Sequence, residues 1–421
     1  VSTTVPTAVP AVETTDGPVT LDAVREHVAA RALTPSGTGT VGLELERHVA
    51  DVRAPGRRVP WDRLTSVLAG FSPPAGSRIT LEPGGQVELS TPPGDLAGAV
   101  AGLERDAAAV ADVLAADGLV LNSTGLDPLR PPQRVNPASR YRAMAGHFDA
   151  AGHHDDGATM MCSTASLQVN LDAGPATGWA DRLAHVHRLT PVLVALAASS
   201  PVRRGTATGA VCGRQGVWGR LEPGRCRMPG GGADPVGDWT GFALAAPVMF
   251  VRSRRTGECE PVRAGVALAD WAAGRVLLDD RAPTAADVDA HLSTLWPPVR
   301  LRGFLELRFL DAVPAPLRPG LAAVVATVVD DPVAADAAAE AAAPVAHRQA
   351  EAVRDGLGDD GLRRAALAVL TAAAARLTPA LAASVHPWID LVERGRGPAD
   401  LVLERFHAGG PAACLIAEDA R

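Results

Sequence analysis

The chain has 421 residues, 47% of them apolar but only 4% aromatic, and a formal net charge of −7. That balance excludes a general nucleic-acid binder, which needs a basic face to displace counterions, and leaves small anionic ligands to local arginines. All 40 basic residues are arginine, so a P-loop and Schiff-base or pyridoxal-phosphate chemistry, which require a lysine amine, are excluded too.

Residues 1–18, rich in Thr, Val and Pro, read as a disordered tail without the basic start or apolar run of a signal peptide. No segment reaches the ~20 uninterrupted apolar residues of a membrane span. Thr20 to Leu33 has helical apolar spacing, and "VGLELERHVA" from Val41 alternates as a strand. "SRITLEPGGQVELS" predicts two strands around a turn at Pro83, Gly84 and Gly85. Asp95 is placed to cap a helix running to about Asp117, with Gly118 as its terminator. "SLQVNLD" alternates again, and Trp179 to Ser199 is helical in composition, with Pro191 expected to kink or divide it.

Residues 201–241, dense in Gly, Arg and Pro, predict a long and partly mobile loop region. Thr284 with Asp287 resembles a capping box, and "RLRGFLELRFLD" reads as a strand. From about Pro319 the chain turns to Ala-rich helical stretches. Strands first and helices last define an α+β fold. The expected division is a tail at 1–18, a catalytic domain at 19–315 and a helical C-terminal region at 316–421 packed on it.

Five cysteines, Cys162, Cys212, Cys226, Cys259 and Cys414, without a CxxC pair, fit a reduced, cytoplasmic protein. Cys162 reads as a buried thiol, not a nucleophile. His153 to Asp156, "HHDD", sits in a Gly-flanked stretch and reads as an exposed loop. His185 and His187 diverge by about 200° on a helix and do not share a metal easily.

Four alternating segments share one pattern. Glu44 and Glu46, then Glu82, Gln86 and Glu88, then Gln168, Asn170 and Asp172, then Glu306 and Arg308 are interleaved with apolar residues. An antiparallel sheet with its apolar side against helices would project these groups from its other side. Converging carboxylates repel, and oxygen-only ligands suit a hard cation, Mg²⁺ or Mn²⁺, completed by a nucleotide phosphate. Arg308 is suited to charge on a phosphoryl group in transfer. Arg214, Arg225 and Arg227 could bind substrate carboxylates through their planar forks. A solvated strand face, or ordinary ion pairs, is the alternative for each pair taken singly.

"GLELE", "ITLEPGGQVELS", "RYRAM" (140–144), "SLQVNLD", "FALAAPVMFVR" (242–252) and "LRGFLELR", in their order and separations across Val41 to Asp311, resemble the plant-type and actinobacterial glutamate-cysteine ligases. These stand among the glutamine-synthetase-like carboxylate-amine ligases. The resemblance implies a curved antiparallel sheet that binds ATP and two or three Mg²⁺ ions, for which Mn²⁺ can substitute. It implies that the γ-carboxylate of L-glutamate is phosphorylated and then joined to the amine of L-cysteine. Glu44, Glu46, Glu82, Glu88 and Glu306 would hold metal. Gln168 or Asn170 would serve metal or nucleotide, and Arg308, with Glu306, would act at the transferred phosphoryl group. Arg225, and Arg214 after it, would grip the glutamate carboxylate under a closing 201–241 region. The γ-glutamylcysteine so formed commonly feeds ergothioneine synthesis in actinobacterial relatives. A ligase with another amine acceptor, a nucleotide-binding regulatory protein without turnover and a metal-dependent hydrolase are the alternatives. Neither a nucleic-acid nor a membrane partner is expected, and the oligomeric state is not legible.

Overall fold

Strand β1 (Val41–Asp51) is the longest among the described residues and the one around which the sheet is assembled. The computed structural model describes residues 17–416, so the tail expected at 1–18 lies outside it except for its last two residues. β2 (Arg78–Leu81) and β3 (Val87–Ser90) form the expected hairpin, and β4 (Leu119–Asn122) and β5 (Leu167–Leu171) follow. Two small hairpins stand apart: β6 (Val202–Arg203) with β7 (Thr206–Ala207), and β8 (Phe250–Arg252) with β9 (Cys259–Pro261). β10 (Val299–Leu301) and β11 (Leu305–Leu307) complete the main sheet, whose order is β10-β11-β5-β1-β3-β2 with β4 on the second half of β1. Every pairing in it is antiparallel.

The period of two fixes which side faces inward. Val41, Leu43, Leu45, Val87, Leu89, Leu167, Val169, Leu171, Leu305 and Leu307 are all buried. The helices Leu96–Ala115 and Arg318–Asp330 pack on this side, the first capped by Asp95 through the Gly98 amide. Each such side chain contributes about 1.5–3 kcal/mol by leaving water, so a one-residue slip of β1 would expose the set and bury its acids. The hairpin turn is equally constrained: Gly85 has φ +83°, and a Cβ on Gly84 would stand 2.2 Å from the Cys162 carbonyl oxygen. Gln86, expected on the polar face, is buried instead. Its Oε1 accepts from the Gly84 amide and its Nε2 donates to the Thr164 carbonyl, pinning the turn to the next segment.

The C-terminal helices share the sheet's core. Val324, Val328, Ala338, Val369 and Trp388 belong to the same buried apolar cluster as Leu43 and Leu167. The indole of Trp388 donates to the Leu317 carbonyl at 2.8 Å, tying the helix Pro379–Glu393 to the start of the helix Arg318–Asp330. No break in the packing marks residue 316.

Four expectations are corrected. Residues 201–241 are not a loop: after the β6–β7 hairpin come helices Gly213–Arg220, Pro223–Cys226 and Pro235–Ala245. Gly213 serves close approach, since a Cβ there would lie 2.6 Å from the Ser200 carbonyl oxygen, and Val217, Leu221 and Trp239 are buried. Pro191 does not divide its helix, which runs unbroken from Trp179 to Ala197 with Leu189 and Val192 to Leu196 buried around it, so packing overrides the local penalty. Arg300 to Asp311 holds two strands, because Gly303 at φ +80° reverses the chain. His154 opens a helix, His154–Ser163, whose first turn gains from Asp155 and Asp156.

Candidate active site on the polar face of the sheet

Register brings the polar residues together. Glu46 lies opposite Glu88, which lies opposite Thr80; Glu44 lies between Ser90 and Gln168; Glu306 lies between Asn170 and Arg300. Directly opposed residues of antiparallel strands share a face, so three strand rows present these groups on the side away from the core. Glu82 continues the set where the hairpin turns, and Arg308 where β11 ends.

The charges on this face are poorly balanced. Burial, with Glu306 and Glu88 nearby, raises the Glu44 carboxyl to about 7. Burial raises Glu46, Glu82 and Glu88 as well, and Glu46 and Glu88 add repulsion to Glu82. Their neutral partners are few. Glu46 accepts from the Ser166 hydroxyl at 2.8 Å, Glu88 from the Thr80 hydroxyl at 2.7 Å, and Glu44 from the Asn170 amide at 3.1 Å. The Oδ1 of Asn170 is buried without a hydrogen-bond partner. Four carboxylates and an orphaned amide oxygen are the donor set of a hard cation. Among the described residues no three His, Cys, Asp or Glu side chains stand close enough to hold an ion between them. That is compatible with Mg²⁺, which takes one or two carboxylates and keeps waters or phosphate oxygens for the rest of its shell.

Glu306 differs from the other four. Burial alone would raise its carboxyl, but Arg300, Arg308 and Arg302 outweigh it and hold the group well below the usual range. It accepts both Arg300 Nε and, at 2.8 Å, Arg300 Nη2, while Arg302 and Arg308 each stand 3.3 Å away. The expectation of a free metal ligand therefore fails for Glu306 as it stands: it is a charge-compensated anchor. Gln168 is likewise engaged, its Oε1 accepting from Arg308 Nη1 at 2.9 Å. The Nε and Nη2 of Arg308 make no hydrogen bond with a described residue, which leaves that side of the fork for a ligand.

The arginines expected to grip a substrate carboxylate are placed otherwise. Arg225 is wholly buried; it donates to Glu222, to the Thr294 carbonyl and hydroxyl, and to the Pro247 carbonyl, so every nitrogen is occupied. Arg214 is buried as well, donating to the Arg308 and Leu310 carbonyls, with Asp311 at 3.7 Å. Both are internal ties, because a guanidinium removed from water must find acceptors within the protein. Sequence reasoning missed Arg300 and Arg302, although the strand pairing of Arg300 with Glu306 was one turn residue away from being legible. It also missed Arg140, which helps offset Glu82 and donates to the Ser293 hydroxyl at 2.9 Å. Beyond Arg308 lies a cavity of about 750 Å³, walled by Trp218, Trp296, Met228 and residues of the helix Gln349–Arg354.

Fold and face together define a class: an antiparallel-sheet protein whose polar side collects oxygen donors and guanidinium groups, the means of handling a phosphate-bearing ligand with a hard cation. Residues 40–417 match the model of glutamate-cysteine ligase family 2 (GCS2), and the chain belongs to that family. The glutamate–cysteine ligase EgtA of Mycolicibacterium smegmatis is 48% identical over 394 residues, 92% of each chain. That of Mycobacterium tuberculosis H37Rv is 45% identical over 408 residues, 96% of this chain and 94% of that one. The chloroplastic glutamate–cysteine ligase of Medicago truncatula is 31% identical over 267 residues, 61% of this chain and 51% of its own. A glutamate–cysteine ligase from Francisella tularensis, solved in complex with AMP, shares the fold with a TM-score of 0.55 over 90% of this chain and 87% of that one, at 14% identity.

Proposed function

We propose that this protein joins the γ-carboxylate of L-glutamate to the amine of L-cysteine at the expense of ATP, giving γ-glutamylcysteine, ADP and phosphate. Likeness to the two EgtA enzymes over nearly the whole chain supports the reaction, and supports ergothioneine synthesis as the use of its product. The single structural observation that carries the reading is the polar sheet face, where four under-compensated carboxylates lie beside a partly open Arg308.

In the first step an oxygen of the glutamate γ-carboxylate attacks the terminal phosphorus of ATP, the bond from phosphorus to the ADP oxygen breaks, and ADP departs with the electron pair. Charge spreads over the equatorial oxygens, and the free side of the Arg308 fork suits them. Gln168 fixes that fork from behind, and Glu306 keeps it charged. In the second step the cysteine nitrogen attacks the acyl carbon, the C–N bond forms, phosphate leaves with the C–O electron pair, and the nitrogen gives its proton to solvent. Glu44, Glu46, Glu82 and Glu88, with Asn170, would hold Mg²⁺, one or two carboxylates to an ion, and its positive charge would neutralise the phosphates when bound.

Purified protein with ATP, glutamate and single amino acids, assayed for phosphate release with and without Mg²⁺, tests this. Release that needs Mg²⁺ and is greatest with cysteine is the expected result. Greatest release with another amine would replace the acceptor, and release without glutamate would make the protein a nucleotidase.

A further inference from the structure

We infer that the cavity beyond Arg308 receives the amine acceptor, that Arg227 binds the acceptor's carboxylate there, and that the short helix Gln349–Arg354, which follows the sheet in the chain, forms part of its wall. This rests on the ligase reading above.

Three observations carry it. First, the cavity, about 750 Å³, has room for a bound amino acid beside an activated one, and Arg308 lies in its wall, so it opens from the point where phosphoryl transfer is placed. Second, of the three arginines at 214, 225 and 227, only Arg227 lines the cavity with its guanidinium uncommitted. It is exposed and forms no side-chain hydrogen bond or ion pair with a described residue. The other two stand behind the cavity's aromatic walls, Arg214 5.9 Å from the ring of Trp218 and Arg225 5.8 Å from that of Trp296. Each ring already has a buried cation at one face, which weakens its pull on an ammonium at the other.

Third, no Asp or Glu is among the described residues that line the cavity. This distinguishes the two amino acids. The glutamate donor keeps its α-ammonium through both steps and needs an anionic partner for it. The acceptor must lose the charge on its nitrogen before it can attack, and a cavity with two arginines and no carboxylate favours the neutral amine while attracting the carboxylate. Ala346, Gln349, Ala350 and Val353 also line the cavity, so the part of the chain after the sheet takes part in choosing the acceptor.

The test follows phosphate release by the full chain with ATP, Mg²⁺ and glutamate, comparing cysteine with cysteamine, the same thiol amine without the carboxylate. Wild-type protein should prefer cysteine. Arg227→Ala should raise the KM for cysteine about 10-fold or more, keep the KM for glutamate and ATP within about twofold, and reduce cysteine to the level of cysteamine. Arg227→Lys should restore part of the preference. Ala350→Trp, which fills the helical wall, should raise the KM of cysteine and cysteamine alike. The inference is overturned if Arg227→Ala raises the KM for glutamate instead, or leaves the ratio of cysteine to cysteamine unchanged. If the wild type uses a different amino acid, the ligase reading loses its acceptor, and the same comparison with that amino acid and its decarboxylated form decides the cavity separately.

Discussion

One face of β1 carries two groups of charges with opposite fates. Glu44 and Glu46, in its first half, face other carboxylates and a few neutral donors, and Arg214, Arg302 and Arg308 nearby do not outweigh their burial. Two residues on, His48 turns toward Asp127, whose carboxylate is answered on both oxygens. Asp127 Oδ2 lies 2.8 Å from Arg130 Nε and 3.1 Å from Arg58 Nη1, and its Oδ1 accepts from the backbone amides of Leu129 and Arg130. Burial alone would raise Asp127, but Arg130 and Arg58 outweigh it and hold it at about 2. Charges closed on themselves in this way serve the fold. Carboxylates packed together without a cation cost stability, and they persist where a ligand completes them.

Breaking the closed cluster should have the largest effect. Asp127→Asn leaves Arg58 and Arg130 buried without their anion and should cost about 3–5 kcal/mol, read as a fall in the denaturant midpoint with an unchanged slope. A variant as stable as the wild type would remove the contrast between the two halves of β1. Glu46→Gln should do the reverse: turnover falls by about 10²–10³-fold, while the melting temperature holds or rises because one of four repelling carboxylates is gone. Loss of both activity and stability would make the polar face another structural cluster.

Arg308→Lys keeps a charge but loses the planar fork, and should lower kcat by ~10²-fold with stability nearly unchanged. A destabilised protein with normal kcat would assign Arg308 to Glu306 alone.

Acid sharpens the comparison further. Burial pushes His48 down to about 4 and His291 to about 3, so the unfolded chain takes up their protons first as pH falls below about 6.5. Their contribution is intact above pH 6.5 and is lost progressively toward pH 4, on the order of 1–2 kcal/mol each by pH 5, whereas that of Asp127 is lost only below about pH 4. The raised carboxyls of Glu44, Glu46, Glu82 and Glu88 act in the opposite sense, because the folded chain takes up their protons first and gains stability as pH falls. His48→Gln and His291→Gln should therefore each lose less stability than the wild type between pH 7 and pH 4.5, read from melting temperatures, and profiles parallel to that of the wild type would count against both histidines. The smallest effect is expected at the surface. Arg142 and Glu258 pair at 2.9 Å but are both more than half exposed, so Glu258→Gln should change stability by ~0.5 kcal/mol or less.

Much of this was legible residue by residue. Alternation in "GLELE", "QVELS", "LQVNL" and "LEL" placed the acids on one side and the leucines and valines on the other, because the pleat has a strict period of two. The capping residues Asp95 and Thr284 stood where their helices begin, since local hydrogen bonds to the first turn need only nearby sequence. The glycines of 201–241 misled, because a glycine that frees the backbone and one that lets two segments touch are the same letter. Gly213 is of the second kind.

The sequence by itself determined the strands, their buried side and the pool of polar residues on the other, all of them consequences of short-range geometry. Which of those polar groups are open was decided by the tertiary structure. Arg300 and Arg302 reach Glu306 because a turn at Gly303 folds β10 onto β11. Arg225 is closed by Thr294 and Pro247, 69 and 22 residues away, while Arg227, two positions further on, is left uncommitted at the cavity wall. A charge's partners lie wherever the chain returns to it in space, and the energy of a buried ion depends on those partners far more than on its neighbours in sequence.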